Sequence, residues 1–130
     1  MADIRIEKLA DLLVNYSVGV KKGDKVVIQG ESPAEPLLKE IYIKVLQAGG
    51  NPYLMSTPAG LDELFYRHAS DEQIQHIPPP TRLIFETYDV RISINGDLNT
   101  KELNNVPPDK LVLSQRARAG IMKTFLDRAA

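Results

Sequence analysis

The sequence predicts an α/β fold, a three-layer α/β/α sandwich around a small, mainly parallel three-stranded sheet. The first observation is the run Val26, Val27 and Ile28, three consecutive β-branched residues typical of a strand covered on both faces. The second is the amphipathic segment that follows, whose apolar residues recur every four positions as in a helix. These residues are Leu37, Ile41 and Val45, flanked by Leu38, Tyr42 and Leu46. A second strand comes next, and strand, helix and strand in this order form a right-handed βαβ unit.

The boundaries of this βαβ unit are predicted by residues with strong local preferences. Ser32 is a favourable N-cap for the helix, and Pro33 stands at the first helical position, where a missing N–H is tolerated. Gly49 can adopt the left-handed conformation that ends a helix, and residues 53–55 are the second strand candidate. The three elements are therefore expected to follow one another through short connections.

A helix is expected before the βαβ unit. Asp3 is its predicted N-cap and Gly19 its predicted end. Its apolar residues are expected to lie along one side and to face the core. They are Ile6, Leu9, Leu13 and Tyr16, with Leu12 beside them.

Short helices and a third strand are expected after the βαβ unit. Residues 70–73 read Ser-Asp-Glu-Gln, a capping box that predicts a new helix, and the three prolines at 78–80 must end it. Residues 81–89 are predicted as a further helix, although several of them also favour strand. Apolar and polar residues alternate over 90–94, which predicts a third strand at or near an edge. The preferred sheet order is 2-1-3, with 1-2-3 as the alternative.

Two more helical segments are expected toward the C-terminus. A short one covers residues 100–104, and a longer one begins at Pro108, where apolar residues again recur every four positions. Gly120 weakens the longer helix by about 1 kcal/mol relative to alanine, so a kink or break there would be no surprise.

Length and composition predict a single α/β domain over residues 1–130. Hydrophobic residues make up 43% and charged residues 25%, both ordinary for a globular protein. A formal net charge of -1 argues against a nucleic-acid partner or an anionic membrane surface. The absence of cysteine excludes disulfides and thiolate ligands. With no signal peptide and no apolar run of membrane-spanning length, a cytoplasmic protein is expected.

Two segments of the sequence contain residues that are candidates for a ligand-binding site, one for a metal ion and one for an anion. His68, Glu72 and His76 are spaced four apart, and on one continuous helix they would share a face and could bind a divalent metal. The capping box argues against this, because it starts a new helix between His68 and Glu72. The turn formed by residues 30–33 stands at a helix N-terminus, where anions bind in doubly wound folds. However, a single glycine does not make a phosphate-binding loop, and the carboxylate of Glu31 would repel a phosphate. We therefore predict no catalytic, cofactor-binding or metal-binding residue.

Several short segments, spread in order along almost the whole chain, are similar to segments of a known protein family. They are residues 9–17, 22–28, 48–52, 63–66, 69–73, 89–94, 116–119 and 125–130. No one of them is a strong motif, but together they resemble the N-terminal part of the aminopeptidase T / aminopeptidase S family. The members of that family are metallo-aminopeptidases with a two-metal site.

The resemblance implies that the parent protein removes N-terminal amino acids from peptides, with two divalent metal ions as Lewis acid and water activator. It implies that this chain is the N-terminal α/β domain, inactive alone. The family's metal ligands and water-activating residues belong to its later, C-terminal part, so none is carried over. The implied partners are that catalytic domain, peptide substrates and, as full length, a second copy in a dimer.

Two alternatives remain open at this point. One is a stand-alone α/β module that binds an anion or nucleotide at the first strand–helix turn. The other is an interaction module whose exposed apolar surface pairs with another domain or a second copy.

Overall fold

The computed structural model describes residues 3–94 and 108–129. The chain forms two compact units, one of residues 1–59 with 88–95 and one of residues 60–87 with 96–130. The first unit contains the sheet, and the described part of the second is helical.

The first unit is built around three parallel strands. They are β1 (Lys25–Glu31), β2 (Asn51–Thr57) and β3 (Val90–Ile94), in the order β2-β1-β3. Ile28 of the central strand is opposite Leu54 on one side and Ile92 on the other. The predicted α/β class, the parallel sheet, its 2-1-3 order and the edge position of the third strand are all confirmed.

The helical elements of the first unit are α1 (Ile4–Asp11), a π-helical segment (Leu12–Val18), a 3₁₀ turn (Ser32–Ala34) and α2 (Glu35–Gln47). Their buried residues join one face of the sheet in a single core, to which α2 contributes Leu38, Ile41 and Val45. Val26, Val27 and Ile28 are all 0% exposed, so β1 is covered on both faces as predicted.

The buried stripe of α2 is narrower than the sequence predicts. Tyr42 and Leu46, which flank the predicted stripe, are 38% and 52% exposed. The end of the helix is as expected, because Gly49 has a φ of 89°, in the left-handed region that glycine favours.

The ends of the N-terminal helix also agree with the prediction. The Asp3 carboxylate accepts a hydrogen bond of 2.8 Å from the backbone N–H of Arg5, which caps α1. At the other end, Gly19 has a φ of 69° and stops the π-helical segment.

The predicted apolar side of the N-terminal helix is only partly correct. Leu13 packs against the core and Ile6 is partly buried, whereas Leu9, Leu12 and Tyr16 are exposed and the fully buried residues are Ala10 and Val14. The change to π-helix at Leu12 alters the side on which the later Tyr16 lies, because a π-helix has more residues per turn than an α-helix.

The second unit contains α3 (Leu61–His68), α4 (Asp71–Gln75), α5 (Pro79–Thr87) and α6 (Pro108–Ala129). Both α4 and α5 pack against α6. Among the side chains that the structure describes in these helices, the buried ones are Ile74, Ile84, Phe85 and Ser114. The helix α6 continues through Gly120 without a break, and α5 begins two residues earlier than expected. Proline is favourable in a first helical turn, which explains the earlier start at Pro79.

Two hydrogen bonds connect α3 to α6. The Tyr66 hydroxyl donates to Oγ of the buried Ser114 at 2.8 Å. The Lys110 ammonium group donates to the Tyr66 carbonyl oxygen at 3.0 Å. The short helix predicted over residues 100–104 lies outside the described residues. Within residues 3–94 and 108–129, no helix is long and apolar enough to cross a membrane.

Candidate functional site

The carboxyl edge of the sheet is the first place to look for a site, because ligands of open α/β sheets bind there. The hydroxyl groups of Ser32, Ser56 and Thr57 at this edge donate hydrogen bonds to other residues of the protein. Ser32 Oγ donates to the Thr57 carbonyl oxygen at 3.2 Å, and Thr57 Oγ1 donates to the Gly30 carbonyl oxygen at 3.5 Å. Ser56 Oγ donates to Oε1 of Glu35 at 3.4 Å. These contacts connect the ends of β1 and β2 to each other and to the start of α2.

The prediction that Ser32 caps the helix is therefore wrong. A 3₁₀ turn begins at Ser32, and α2 starts only at Glu35 with no side-chain cap. The Ser32 hydroxyl is used to join the turn to β2 instead. Glu31 and Glu35 also place two carboxylates beside this helix start, which is unfavourable for a bound phosphate.

Gly30 at the end of β1 has a packing role. A Cβ at this position would lie 2.8 Å from Cδ2 of Leu38, a fully buried residue of α2. The glycine thus allows the helix to approach the strand closely. The connection from β1 to α2 has the features of a strand-to-helix turn, and its described residues show none that indicates a phosphate loop.

A hydrogen-bonded row that the sequence did not reveal crosses the three strands. Arg91 Nε of β3 donates to Oε1 of Gln29 in β1 at 2.8 Å. Gln29 Nε2 then contacts Sδ of Met55 in β2 at 3.8 Å. The available sequence signal was the polar Gln29 directly after a fully apolar run. The hydrogen bond to Gln29 fixes the Arg91 guanidinium group near the carboxyl half of the sheet.

The second place of interest is a groove in the helical unit. It has a volume of about 480 Å³ and is lined by Phe65, His68, Ala69, Gln73 and His76. His68 is the last residue of α3, and His76 directly follows α4. Both histidines of the predicted metal pattern therefore line the groove.

The local geometry of the groove is set by the capping box predicted at Ser70. The Ser70 hydroxyl accepts from the backbone N–H of Gln73 at 3.2 Å, and Gln73 Oε1 accepts from the backbone N–H of Ser70 at 2.9 Å. Ala69 and Ser70 are both extended, so the chain changes direction between α3 and α4. This confirms the predicted break between His68 and Glu72, and Glu72 does not line the groove.

Comparison with known families supplies the next observation. The family model of thermophilic metalloproteases (M29) matches residues 2–130. The chain belongs to this family. The M29 enzymes are metallo-aminopeptidases, which are hydrolases, so the resemblance inferred from the short segments is confirmed.

A solved structure supports the fold. Wild-type AmpT from Thermus thermophilus matches with a TM-score of 0.71 at 22% sequence identity, over 95% of this chain. The match covers 32% of the AmpT chain, so the present chain spans about a third of that relative's length. No curated protein matches the sequence.

Membership of a metalloprotease family implies a divalent metal ion, and the described residues can be tested for a place to hold one. Among residues 3–94 and 108–129, no three side chains of histidine, aspartate or glutamate come together in a possible metal site. A protein zinc site uses at least three such ligands. This part of the chain therefore does not fit the family's metal, and we assign no catalytic step to its residues.

Proposed function

We propose that this chain is the N-terminal scaffold domain of a metal-dependent aminopeptidase, which removes N-terminal amino acids from peptides. The observation that carries the proposal is the family match over residues 2–130. In the proposed enzyme, two divalent metal ions are bound by residues outside this chain. Such metal ions would supply Lewis-acid polarisation of the scissile carbonyl group and activation of water.

The chemistry of the described residues supports a scaffold role. At the ends of β1 and β2, where an α/β protein would place reactive groups, the hydroxyls of Ser32, Ser56 and Thr57 form hydrogen bonds within the protein. Most of the buried apolar residues of the first unit form one core cluster. In the proposed enzyme, this unit contributes stability and shape to the protein, and bond cleavage takes place in a C-terminal catalytic domain.

The remaining parts of the proposal follow from the family. The partners are the catalytic domain of the same enzyme and its peptide substrates. The full-length enzyme is proposed to be a dimer that works in the cytoplasm. Support for a cytoplasmic enzyme comes from the cysteine-free composition.

The proposal is tested by assaying the purified 130-residue chain with an aminoacyl reporter such as L-leucine p-nitroanilide, with added zinc, cobalt or manganese. We expect no hydrolysis. A longer enzyme that contains residues 1–130 should hydrolyse the same reporter and should lose this activity when a chelator removes its metal.

Two results would contradict the proposal. One is turnover that follows the 130-residue chain through every purification step, because the active site would then lie within it. The other is a longer enzyme that binds metal but releases no N-terminal amino acid from any peptide. A reporter blocked at its N-terminus is the matched control, because an aminopeptidase requires the free amino group.

A further inference from the structure

The chain has two histidines, and both line the groove between α3 and α4. We propose that this groove binds a hydrophobic carboxylate, meaning a carboxylate group attached to an aromatic or branched aliphatic body. Free amino acids and the C-termini of peptides belong to this chemical class. The proposal concerns residues 65–76 alone and does not depend on the aminopeptidase function.

The polar side chains of the groove are arranged as hydrogen-bond donors. Oε1 of Gln73 already accepts the backbone N–H of Ser70, which leaves the Nε2 amide group, a donor, to face a ligand. Each imidazole, of His68 and of His76, has one N–H donor and, when neutral, one acceptor nitrogen. Among the described residues, no aspartate, glutamate, lysine or arginine lines the groove. With the Gln73 amide, three side chains can therefore donate to one ligand group and no carboxylate repels an anion, which suits a carboxylate, the acceptor-only group of amino acids and peptides.

The apolar part of the groove is a phenyl ring that packs against a second aromatic ring. Phe65 is 38% exposed, and its ring packs edge-to-face on Tyr66, with 5.5 Å between the ring centroids and 70° between the planes. Ala69 adds a methyl group to the same lining. An aromatic or branched side chain can stack on this surface while its carboxylate reaches the donors.

The size of the groove agrees with a small ligand. Its volume of about 480 Å³ lies within the usual range of roughly 300–1,000 Å³ for small-molecule sites. The capping box at Ser70 holds Gln73 in place at the start of α4, so this donor is positioned before a ligand arrives.

The test is a titration of the 130-residue chain with N-acetyl-L-phenylalanine, followed by NMR through the ring signals of His68 and His76. We expect both histidine signals to shift. N-acetyl-L-phenylalanine amide, which has the same body without the charge, should bind about tenfold more weakly, because a hydrogen bond to a charged group contributes more than one to a neutral group. L-phenylalanine and glycyl-glycyl-phenylalanine distinguish the free amino acid from the peptide C-terminus.

Variants of exposed residues make the test specific. His68→Ala and His76→Ala should each weaken binding about tenfold, since each removes one donor to the carboxylate. Gln75→Ala is the matched control, because Gln75 is an exposed residue of α4 that does not line the groove. The proposal is overturned if acid and amide bind equally, if the histidine variants bind like the original chain, or if no binding appears at millimolar concentration.

Discussion

The two units of this chain use their side chains differently. In the sheet unit, the three consecutive β-branched residues that predicted a strand, Val26, Val27 and Ile28, are all 0% exposed. In the helical unit, the two histidines of the spacing pattern, His68 and His76, are exposed and line a groove. The hydroxyls at the end of the sheet are likewise engaged within the protein, whereas the groove presents donors to solvent.

This difference separates the part of the chain that should determine stability from the groove that we propose as a binding site. Changes in the core of the sheet unit should alter the free energy of unfolding, because buried apolar contacts dominate that quantity. Changes in the groove should alter binding with little effect on folding, because exposed side chains contribute little to stability. Substitutions of matched residues can test each half of this comparison.

The largest effect is expected for Ile28→Ala in the central strand. Ile28 is fully buried, so the substitution loses apolar burial and leaves a cavity, and the free energy of unfolding should fall by about 3 kcal/mol. Urea denaturation followed by circular dichroism measures this change. The matched control is Ile43→Ala in α2, where the side chain is 42% exposed and the change should stay within about 1 kcal/mol. Equal losses for both variants would show that the core is not where the structure places it.

Substituting alanine for Gly30 in the sheet unit and for Gly120 in the helical unit should change the free energy of unfolding in opposite directions. Gly30→Ala places a Cβ 2.8 Å from Leu38 and should lower the free energy of unfolding by about 1–2 kcal/mol through overpacking. Gly120→Ala lies within α6, where an added Cβ meets no atom of the described residues within 4 Å, and should raise the free energy of unfolding by about 1 kcal/mol. The same denaturation experiment measures both. A destabilised Gly120→Ala variant would contradict the continuous α6 helix.

The features that were predictable from the sequence are those fixed by local chemistry. Three consecutive β-branched residues specify a buried strand at Val26–Val27–Ile28 wherever that strand is placed, and Gly49 ends a helix because of its own backbone freedom. The capping box at Ser70 closes within four residues, so the sequence contains all of its partners. The 2-1-3 order was preferred from topology and is observed.

The features that could not be predicted depend on residues distant in the sequence. The π-helical segment at Leu12 changes the period of the helix, and no residue type in the sequence marks the change. The row from Arg91 through Gln29 joins residues 62 positions apart. Similarly, His68 and His76 share a groove because of the angle between two short helices, an angle that a spacing of residues does not specify.

Two serines predicted as helix N-caps give the smallest and most local test. Ser70→Ala removes the cap of α4 and one half of the capping box, and should lower the free energy of unfolding by about 1 kcal/mol. Ser32→Ala removes an exposed hydrogen bond to Thr57 and no cap, so it should cost less than about 0.5 kcal/mol. Hydrogen exchange should show faster amide exchange in α4 for the first variant, with α2 unchanged in the second. If Ser32→Ala instead speeds exchange at the start of α2, then the hydroxyl caps that helix in solution, and the engaged edge of the sheet would have to be reconsidered as an open site.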